Sequence, residues 1–462
     1  MESNQLTTLG PSPFGHGLRK YFLFDSKYTN LNHGSFGTYP IPVRDHFRNQ
    51  QEVVEAQPDR YLRYTYPQLL DKSRATVADL LHVPANECVF VPNATTGVNT
   101  VLRNIVYSPN DVIIYFDTIY AACEKTIFSV CETTPAKCRK VEYQFMTDSH
   151  LSIVEKFEEV IQGIRAEGLT PKVAVIDTIV SLPGVRFPFE MAVETCRNEN
   201  VLSLIDGAHG IGHIPLNLKE LDADFFTSNC HKWLFTPRGC AVLHVPVRNQ
   251  HLIRTSYPTS HGFRPIANPS MFSPLPDPEA GKTPFETLFE FVATTDTAPY
   301  TCAPAALAFR RDICGGEEKI TEYIKTIVTV GTDAVARILG TEVMATDSSA
   351  SHDELRNCAL ANVRLPLSVG SNGDADVHTN KIGLTCNWMQ KIMVDEFHTF
   401  IPIFFYAGNF WVRYSGQVYL ELSDFEWSGK ILKALCEALR LKKSDGLEAL
   451  DLKELKTALS KE

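Results

Sequence analysis

The sequence predicts an α/β protein, with a large doubly wound domain on a mostly parallel sheet and a smaller C-terminal α+β domain. Short apolar runs alternate with helical stretches through the middle of the chain, which is the pattern of parallel strands joined by crossover helices. The chain has 462 residues, 44% of them hydrophobic, and is therefore long enough to bury a large core and form two or three folding units.

Seven apolar runs are candidate strands of the large sheet. They cover residues 88–91, 112–116, 141–145, 172–177, 201–206, 225–228 and 240–245. Helical candidates lie between them, at 97–105, 121–131, 151–166 and 189–198.

The alternation stops at residues 256–284, where seven prolines occur with little periodicity. A loop of that length is usually functional or disordered, and we interpret it as an active-site loop. A long helical stretch then covers 303–339, and the remaining elements are strands at 360–365 and 410–414, a helix at 423–440 and exposed loops at 348–353 and 368–376. The predicted organisation is an N-terminal arm at 1–30, a large domain at 31–300 and a small domain at 301–462.

Composition excludes several classes of protein. The net charge of -10 is spread along the chain, and no basic block offers contacts to a nucleic-acid backbone. No apolar run approaches the length of a membrane span, and the N-terminal residues form no export signal, so we expect a cytosolic protein without a membrane or nucleic-acid partner.

The twelve cysteines are scattered, mostly in apolar segments, in a chain large enough to fold without disulfides. We interpret most of them as reduced core residues. The spacing from His209 to His213 spans glycines rather than a helix and gives little support to a zinc site, so we predict no metal.

Two polar residues at predicted strand ends point to a cofactor. Asp206 closes one apolar run, and Lys232 follows the next, 26 residues later. A lysine and an acid placed in this way can hold pyridoxal phosphate (PLP), the lysine as a Schiff base and the acid against the ring nitrogen. Alone, Asp206 would be read as a strand-end cap and Lys232 as a surface lysine. Apolar neighbours make an idle ammonium costly, so the combination favours a nucleophile.

A phosphate site is predicted after the strand at 88–91, where the sequence reads NATTGVN at 93–99. Hydroxyl residues and glycine at a helix start let N–H groups surround an anion, although plain helix capping is the alternative. Its position beside Asp206 and Lys232 at the ends of the same sheet favours the ligand, because open α/β sheets bind ligands there.

Five motifs resemble those of the class V aminotransferase superfamily of fold-type I PLP enzymes. They are LNHGSFGTYP (31–40), VPNATTGVNTVLRN (91–104), IDGAHGIG (205–212), SNCHKWLFTPRG (228–239) and FWVRYSGQVYLELSDFE (410–426). The resemblance covers about residues 13–440 and is strongest to the isopenicillin N epimerase-like branch, and within it to the fungal hercynylcysteine sulfoxide lyases of ergothioneine biosynthesis. It implies a PLP-dependent carbon–sulfur lyase.

The resemblance also implies the roles of individual residues. Lys232 is then the Schiff-base lysine, and Tyr120 stacks on the cofactor and acts as an acid to the leaving group, with a core tyrosine as the alternative. The implied cofactor contacts are Asp206 at the ring nitrogen, Ser181 and His209 near the ring oxygen, and Thr95, Thr96 and His231 at the phosphate, with Thr294 supplied by a second subunit. A homodimer follows from that last contact.

Two segments of the chain supply the predicted contacts to the substrate. The resemblance gives Arg413 the α-carboxylate of an amino-acid substrate, and a guanidinium can grip a carboxylate with two parallel hydrogen bonds. Asn32 and His33 match a segment that crosses the active site, with a turn-forming role as the alternative.

Two departures from the family bear on the reaction. The serine that many relatives place three residues before the lysine is Asn229 here, which puts that phosphate contact in doubt. Neither Cys358 nor Cys386 lies on a loop suited to a desulfurase cysteine, so we expect sulfur to leave on its organic fragment.

The predicted reaction is β-elimination from a cysteine S-conjugate such as hercynylcysteine sulfoxide, giving ergothioneine through its sulfenic acid, with pyruvate and ammonia. An epimerase or another PLP-dependent C–S lyase of secondary metabolism is one alternative. A non-catalytic homologue that acts as a binding protein is the other.

Overall fold

The computed structural model describes residues 14–272, 281–346, 353–371 and 375–441. The chain divides into two compact units. The larger unit comprises residues 36–181 and 186–310, and the smaller one contains residues 182–185 and the described parts of 1–35 and 311–462. The N-terminal segment thus clusters with the C-terminal part of the chain, while the domain limits drawn from the sequence stay a prediction.

The larger unit is built on a seven-stranded sheet. Its strands are β1 (Cys88–Val91), β2 (Asp111–Phe116), β3 (Lys137–Val141), β4 (Thr170–Asp177), β5 (Leu202–Asp206), β6 (Phe225–Ser228) and β7 (Ala241–His244). They lie in the order β1-β7-β6-β5-β4-β2-β3, and β7 alone runs antiparallel to its neighbours. The mostly parallel α/β architecture that the sequence predicts is confirmed.

Helices connect these strands, and the central strands are buried runs of the kind that helices cover on both faces. The helices up to residue 312 are α1 (His33–Phe36), α2 (Ile41–Ala56), α3 (Pro58–Arg60), α4 (Tyr66–Leu80), α5 (Ala94–Asn104), α6 (Ala121–Thr133), α7 (His150–Ala166), α8 (Phe189–Asn198), α9 (Leu218–Leu221), α10 (Cys230–Trp233), α11 (Pro284–Glu290) and α12 (Ala303–Asp312). A π-helical turn, Tyr61–Thr65, precedes α4.

The smaller unit combines a three-stranded sheet with long helices. Its helices are α13 (Glu317–Leu339), α14 (Ile382–Phe397) and α15 (Leu422–Leu441), and its strands are β8 (Leu360–Arg364), β9 (Val369–Gly370), β10 (Val377–His378), β11 (Ile403–Tyr406) and β12 (Asn409–Ser415). The strands β11, β12 and β8 pair in that order, all antiparallel.

Two elements differ from the sequence prediction. The strand predicted at 141–145 lies instead at Lys137–Val141, where it pairs with β2 as the edge of the sheet. The apolar residues Tyr143 and Phe145 are buried against each other beyond the strand end, and their alternation imitated a strand. The helix predicted at 303–339 is broken between α12 and α13 by Gly315 and Gly316, both with positive φ, a backbone conformation that glycine adopts without steric cost.

Several predicted segments lie partly outside the described residues. They are the N-terminal arm at 1–13, the Pro-rich loop at 273–280, the loop at 347–352, the loop at 372–374 and the C-terminal residues 442–462. Within the described ranges, no helix is long and apolar enough to cross a membrane, and no group of three or more His, Cys, Asp or Glu side chains is placed to hold a metal ion.

Candidate active site

Three neighbouring strands of the large sheet end in polar residues of the predicted site. β4 ends at Asp177 and β5 at Asp206, and these two aspartates are paired across the sheet. β6 ends at Ser228 and leads directly into α10, which carries Lys232. Because the carboxyl ends of parallel strands meet at one edge, the fold gathers an amine and two carboxyl groups there.

Lys232 contacts a buried histidine. Its Nζ lies 3.1 Å from Nε2 of His209, which is 2% exposed. The other ring nitrogen of His209 accepts a hydrogen bond of 3.2 Å from the indole N–H of Trp233. The three side chains therefore form one chain of polar contacts beside the strand ends, buried at His209 and Trp233 and half-buried at Lys232.

Asp206 is a buried carboxylate with donors of its own. The backbone N–H of Ala208 and the thiol of Cys123 donate to its two oxygens, at 3.0 and 3.2 Å. Burial raises the pKa of Asp206, and these two hydrogen bonds act in the opposite direction, as does Lys232 when it is protonated. Hydrogen-bond donors favour the ionised form, which is the form that can pair with a protonated ring nitrogen.

Asp177 is a second buried acid at this edge, and the sequence prediction missed it. Burial and the charge of Asp206 raise the pKa of its carboxyl well above the ordinary value, against the charge of Lys232. The signal was available, because Asp177 closes the predicted strand 172–177 just as Asp206 closes its own. Cys123 had no such signal, since it lies inside helix α6.

The predicted phosphate site is the N-terminus of the 11-residue helix α5. Asn93 caps it by accepting the N–H of Thr96 at 2.8 Å, and Oδ1 of Asn229 accepts the N–H of Ala94 at 2.9 Å. The N–H and hydroxyl groups of Thr95 donate no hydrogen bond within the described ranges. They are therefore available to an anion, and Asn229, whose role was in doubt, joins this loop to the strand end before Lys232.

The remaining predicted residues of the larger unit lie as follows. Nδ1 of His231 donates a hydrogen bond of 3.0 Å to the carbonyl of Cys240, and burial lowers the pKa of His231 to about 4. Ser181 is half-buried beyond β4, Tyr120 is 48% exposed at the N-cap of α6, and Thr294 is exposed. The structure thus brings Lys232, Asp206 and His209 together. Within the described residues of one chain, no contact joins Thr294 to these three.

In the smaller unit, Arg413 on β12 is 2% exposed. Its Nη2 donates to Oδ1 of Asn32 and to Oγ of Ser35, each at 2.8 Å. Burial lowers the pKa of Arg413 to about 10, which leaves the guanidinium charged at neutral pH. Nδ1 of His33 lies 3.0 Å from the hydroxyl of Tyr419, and Ser35, which the sequence did not predict, joins Asn32 at the arginine.

Comparison with known proteins gives this site a family. The family model of class V aminotransferases matches residues 51–272. An L-cysteine desulfhydrase-like protein of Epichloe uncinata is 42% identical over 440 residues, covering 92% of this chain and 97% of the relative. The chain belongs to the class V aminotransferase family.

Other relatives of this class V aminotransferase are more distant. The hercynylcysteine sulfoxide lyase of Schizosaccharomyces pombe is 29% identical, over 92% of this chain and 98% of that protein. The structure of a cystine C–S lyase with its product cysteine persulfide has a TM-score of 0.66 at 17% identity, covering 91% of this chain and 98% of that chain. Membership confirms two sequence predictions: PLP is the cofactor, and the chain is an enzyme of the PLP-dependent C–S lyase and cysteine desulfhydrase-like group.

The residues of this class V aminotransferase fit that cofactor. Asp206 offers a buried carboxylate to a ring nitrogen, Lys232 an amine, and the N-terminus of α5 the open donors of Thr95 to a phosphate. Gly97 follows Thr96 in the first turn of α5. A Cβ at Gly97 would come within 2.3 Å of the Thr227 side chain, so this turn packs directly on β6. The donor set therefore matches the three polar ends of PLP.

Proposed function

We propose that this class V aminotransferase cleaves the Cβ–S bond of a cysteine S-conjugate by β-elimination, with hercynylcysteine sulfoxide as substrate. The observation that carries the reaction type is the arrangement of the half-buried Lys232 with the buried His209 and Asp206, which combines a base with an acid for a ring nitrogen. The substrate is supported by the S. pombe relative, which is named for that sulfoxide.

Bound PLP would join the substrate amine and draw electrons from Cα, and the protein supplies the rest. We assign Lys232 as the base whose Nζ takes the Cα proton, and Asp206 as the acid that keeps the ring nitrogen protonated. Ser181 and His209 would hold the ring oxygen, and Thr95, Thr96 and His231 the phosphate. Loss of the proton then expels sulfur from Cβ as a sulfenic acid.

The substrate itself would be held by its carboxylate. We assign that role to Arg413, whose orientation is fixed by hydrogen bonds to Asn32 and Ser35. A guanidinium held in this way fixes which Cα bond is cleaved. Tyr120, half-exposed at the start of α6, would stack on the cofactor and protonate the leaving group. The remaining three-carbon fragment takes up water and gives pyruvate and ammonia.

The cysteines support release of sulfur on its organic fragment. All twelve lie within the described ranges and form no disulfide there, ten of them buried and Cys131 and Cys138 half-buried. Cys358 and Cys386, in the later part of the chain, are 2% and 8% exposed. A thiol that accepts sulfur from a substrate has to be accessible, so these two residues are poor acceptors.

Free L-cysteine is a second candidate substrate. Two Epichloe uncinata relatives, 42% and 41% identical over nearly the whole chain, are both named L-cysteine desulfhydrase-like. The same Lys232, Asp206 and Arg413 would then release sulfide rather than a sulfenic acid. Epimerisation is a weaker alternative, since the isopenicillin N epimerase of Streptomyces clavuligerus is only 25% identical. The cytosolic location and the homodimer stay predictions.

Product analysis of the purified holoenzyme tests the proposal. With hercynylcysteine sulfoxide and a thiol reductant, we expect pyruvate and ergothioneine in equal amounts. Sulfide from L-cysteine at a higher kcat/KM would favour desulfhydration, and inversion at Cα without pyruvate would establish an epimerase. A protein that binds no PLP, or a Schiff-base linkage between PLP and the protein that survives Lys232→Ala, would overturn the assignment of the site.

A further inference from the structure

We propose that Trp233 is a positioning residue: its indole N–H fixes the His209 proton on Nε2, and that N–H is donated to Lys232 Nζ, which is held as the free amine. The inference rests on the proposed role of Lys232 and is independent of the substrate. It follows from the hydrogen-bonding capacities of the Trp233, His209 and Lys232 side chains.

The first step concerns His209. The indole nitrogen of Trp233 is a donor only, so the 3.2 Å contact makes Nδ1 of His209 an acceptor. A neutral imidazole carries one proton, and an imidazolium would carry a proton on Nδ1 as well. His209 is therefore neutral with its proton on Nε2.

The second step concerns Lys232. Its Nζ lies 3.1 Å from Nε2 of His209, and Nε2 is now a donor. An ammonium group has three donors and no acceptor, whereas a neutral amine has a lone pair that can accept. The geometry thus matches a free amine at Lys232, which is the form that reacts with an aldehyde.

The indole is itself held firmly. Trp233 is 1% exposed, its carbonyl accepts a 2.7 Å hydrogen bond from the buried Arg310, and the ring of His213 stacks on it at 3.8 Å. His213 also contacts the His209 carbonyl through Nδ1, at 2.8 Å. These contacts fix both ends of the Trp233–His209 hydrogen bond, so the tautomer is set before any ligand arrives.

The consequence concerns capture of the cofactor. PLP would be held by Lys232, whose lone pair would bond to the aldehyde carbon while the carbonyl oxygen left as water with the two amine protons. A free amine is required, and it is present at higher pH. In Trp233→Phe the proton of His209 can move to Nδ1, which lets Nε2 accept from an ammonium at Lys232 and moves the capture to higher pH. The other ionisable groups that interact with the charge at Lys232 are Asp206, Asp177, Cys123 and His231, and Trp233→Phe replaces none of them.

The test is the rate at which PLP binds to the cofactor-free enzyme, followed by visible absorption between pH 6 and pH 9. For Trp233→Phe we expect capture about fivefold slower at neutral pH, since one lost hydrogen bond is worth about 1 kcal/mol, and a rate midpoint shifted to higher pH. Trp411→Phe is the control, because Trp411 is also buried and donates its indole N–H, to the Tyr406 carbonyl at 3.1 Å in the smaller unit.

Two further measurements test the protonation of His209 and its coupling to Trp233. ¹⁵N NMR of wild-type His209 should show a neutral ring protonated at Nε2, and a proton on Nδ1 would overturn the proposal even if Trp233→Phe does not fold. In a His209→Gln background, Trp233→Phe should lose its effect on the pH midpoint. An unchanged midpoint in Trp233→Phe alone, with PLP still captured by Lys232, would sink this inference and leave the proposed function standing.

Discussion

At the scale of single residues, the neighbouring acids Asp177 and Asp206 favour a state in which only one of them is ionised. Two carboxylates on neighbouring strand ends repel when both are ionised, and burial removes the water that would screen them. Asp206 has two donors and Asp177 has none within the described ranges, so the proton belongs on Asp177. The site would then present one negative charge to Lys232.

This proton has a measurable effect on stability. Because the pKa of Asp177 is raised in the folded state, the folded protein binds that proton more tightly than the unfolded one. Stability is therefore lost as pH rises from about 4, the ordinary value for aspartate, through the folded-state pKa. Asp177→Asn cannot ionise, so we expect it to melt a few degrees above wild type at pH 8, with the difference vanishing toward pH 4.

Asp111→Asn is the matched control for that prediction. Asp111 is also buried in the sheet, but its carboxylate accepts the N–H of Ser108 at 2.8 Å and lies 4.0 Å from Lys172. Its loss should lower the melting temperature at neutral and alkaline pH. Equal melting temperatures of Asp177→Asn and wild type at pH 8 would show that ionising Asp177 does not destabilise the folded protein.

At the scale of elements, the start of α5 is fixed by a residue from a distant part of the chain. Asn229 follows β6 and caps the N–H of Ala94 at the first position of α5, so the phosphate loop and the Lys232 segment are tied together. The side-chain oxygen of Asn229 is therefore engaged in a structural contact.

Asn229→Ala tests that link. We expect a loss of about 1 kcal/mol in the free energy of unfolding, the usual cost of removing a helix cap, together with weaker PLP binding. Asn217→Ala is the control, since Asn217 caps α9 through the Glu220 N–H at 3.2 Å and lies outside the site. It should lose stability with PLP affinity unchanged. Weaker PLP binding in both variants would reduce Asn229 to a general stability effect.

The elements also show how far sequence reasoning reaches. Strand ends marked by a polar residue after a buried run, such as Asp206, follow from local pattern and were predicted at the correct residue. The edge strand β3 was not, because its exposed residues carry no apolar signal and its place is set by pairing with β2. The Trp233–His209 contact was also out of reach, since hydrogen bonds across 24 positions depend on packing that periodicity does not encode.

At the scale of the whole molecule, the exposed position of Thr294 leads us to predict an active site shared by two chains. In a single chain Thr294 has no described contact with the Lys232 cluster, and the family resemblance gives it to the site of a second subunit. A homodimer would then build each site from Lys232 of one chain and Thr294 of the other. The prediction is a stable dimer by sedimentation, with a weakened PLP affinity in Thr294→Val.

Hybrid dimers distinguish a shared site from a self-contained one. We mix Lys232→Ala subunits with Thr294→Val subunits, each inactive or weak alone, and isolate the mixed dimer. If Thr294 acts across the interface, one site of the mixed dimer pairs an intact Lys232 with an intact Thr294, so about half of the wild-type activity per dimer should return, since independent sites add. If Thr294 serves its own chain, neither site is intact and activity per dimer falls to about half that of the Thr294→Val homodimer, since independent sites add. Recovery therefore requires that each chain complete the site of the other.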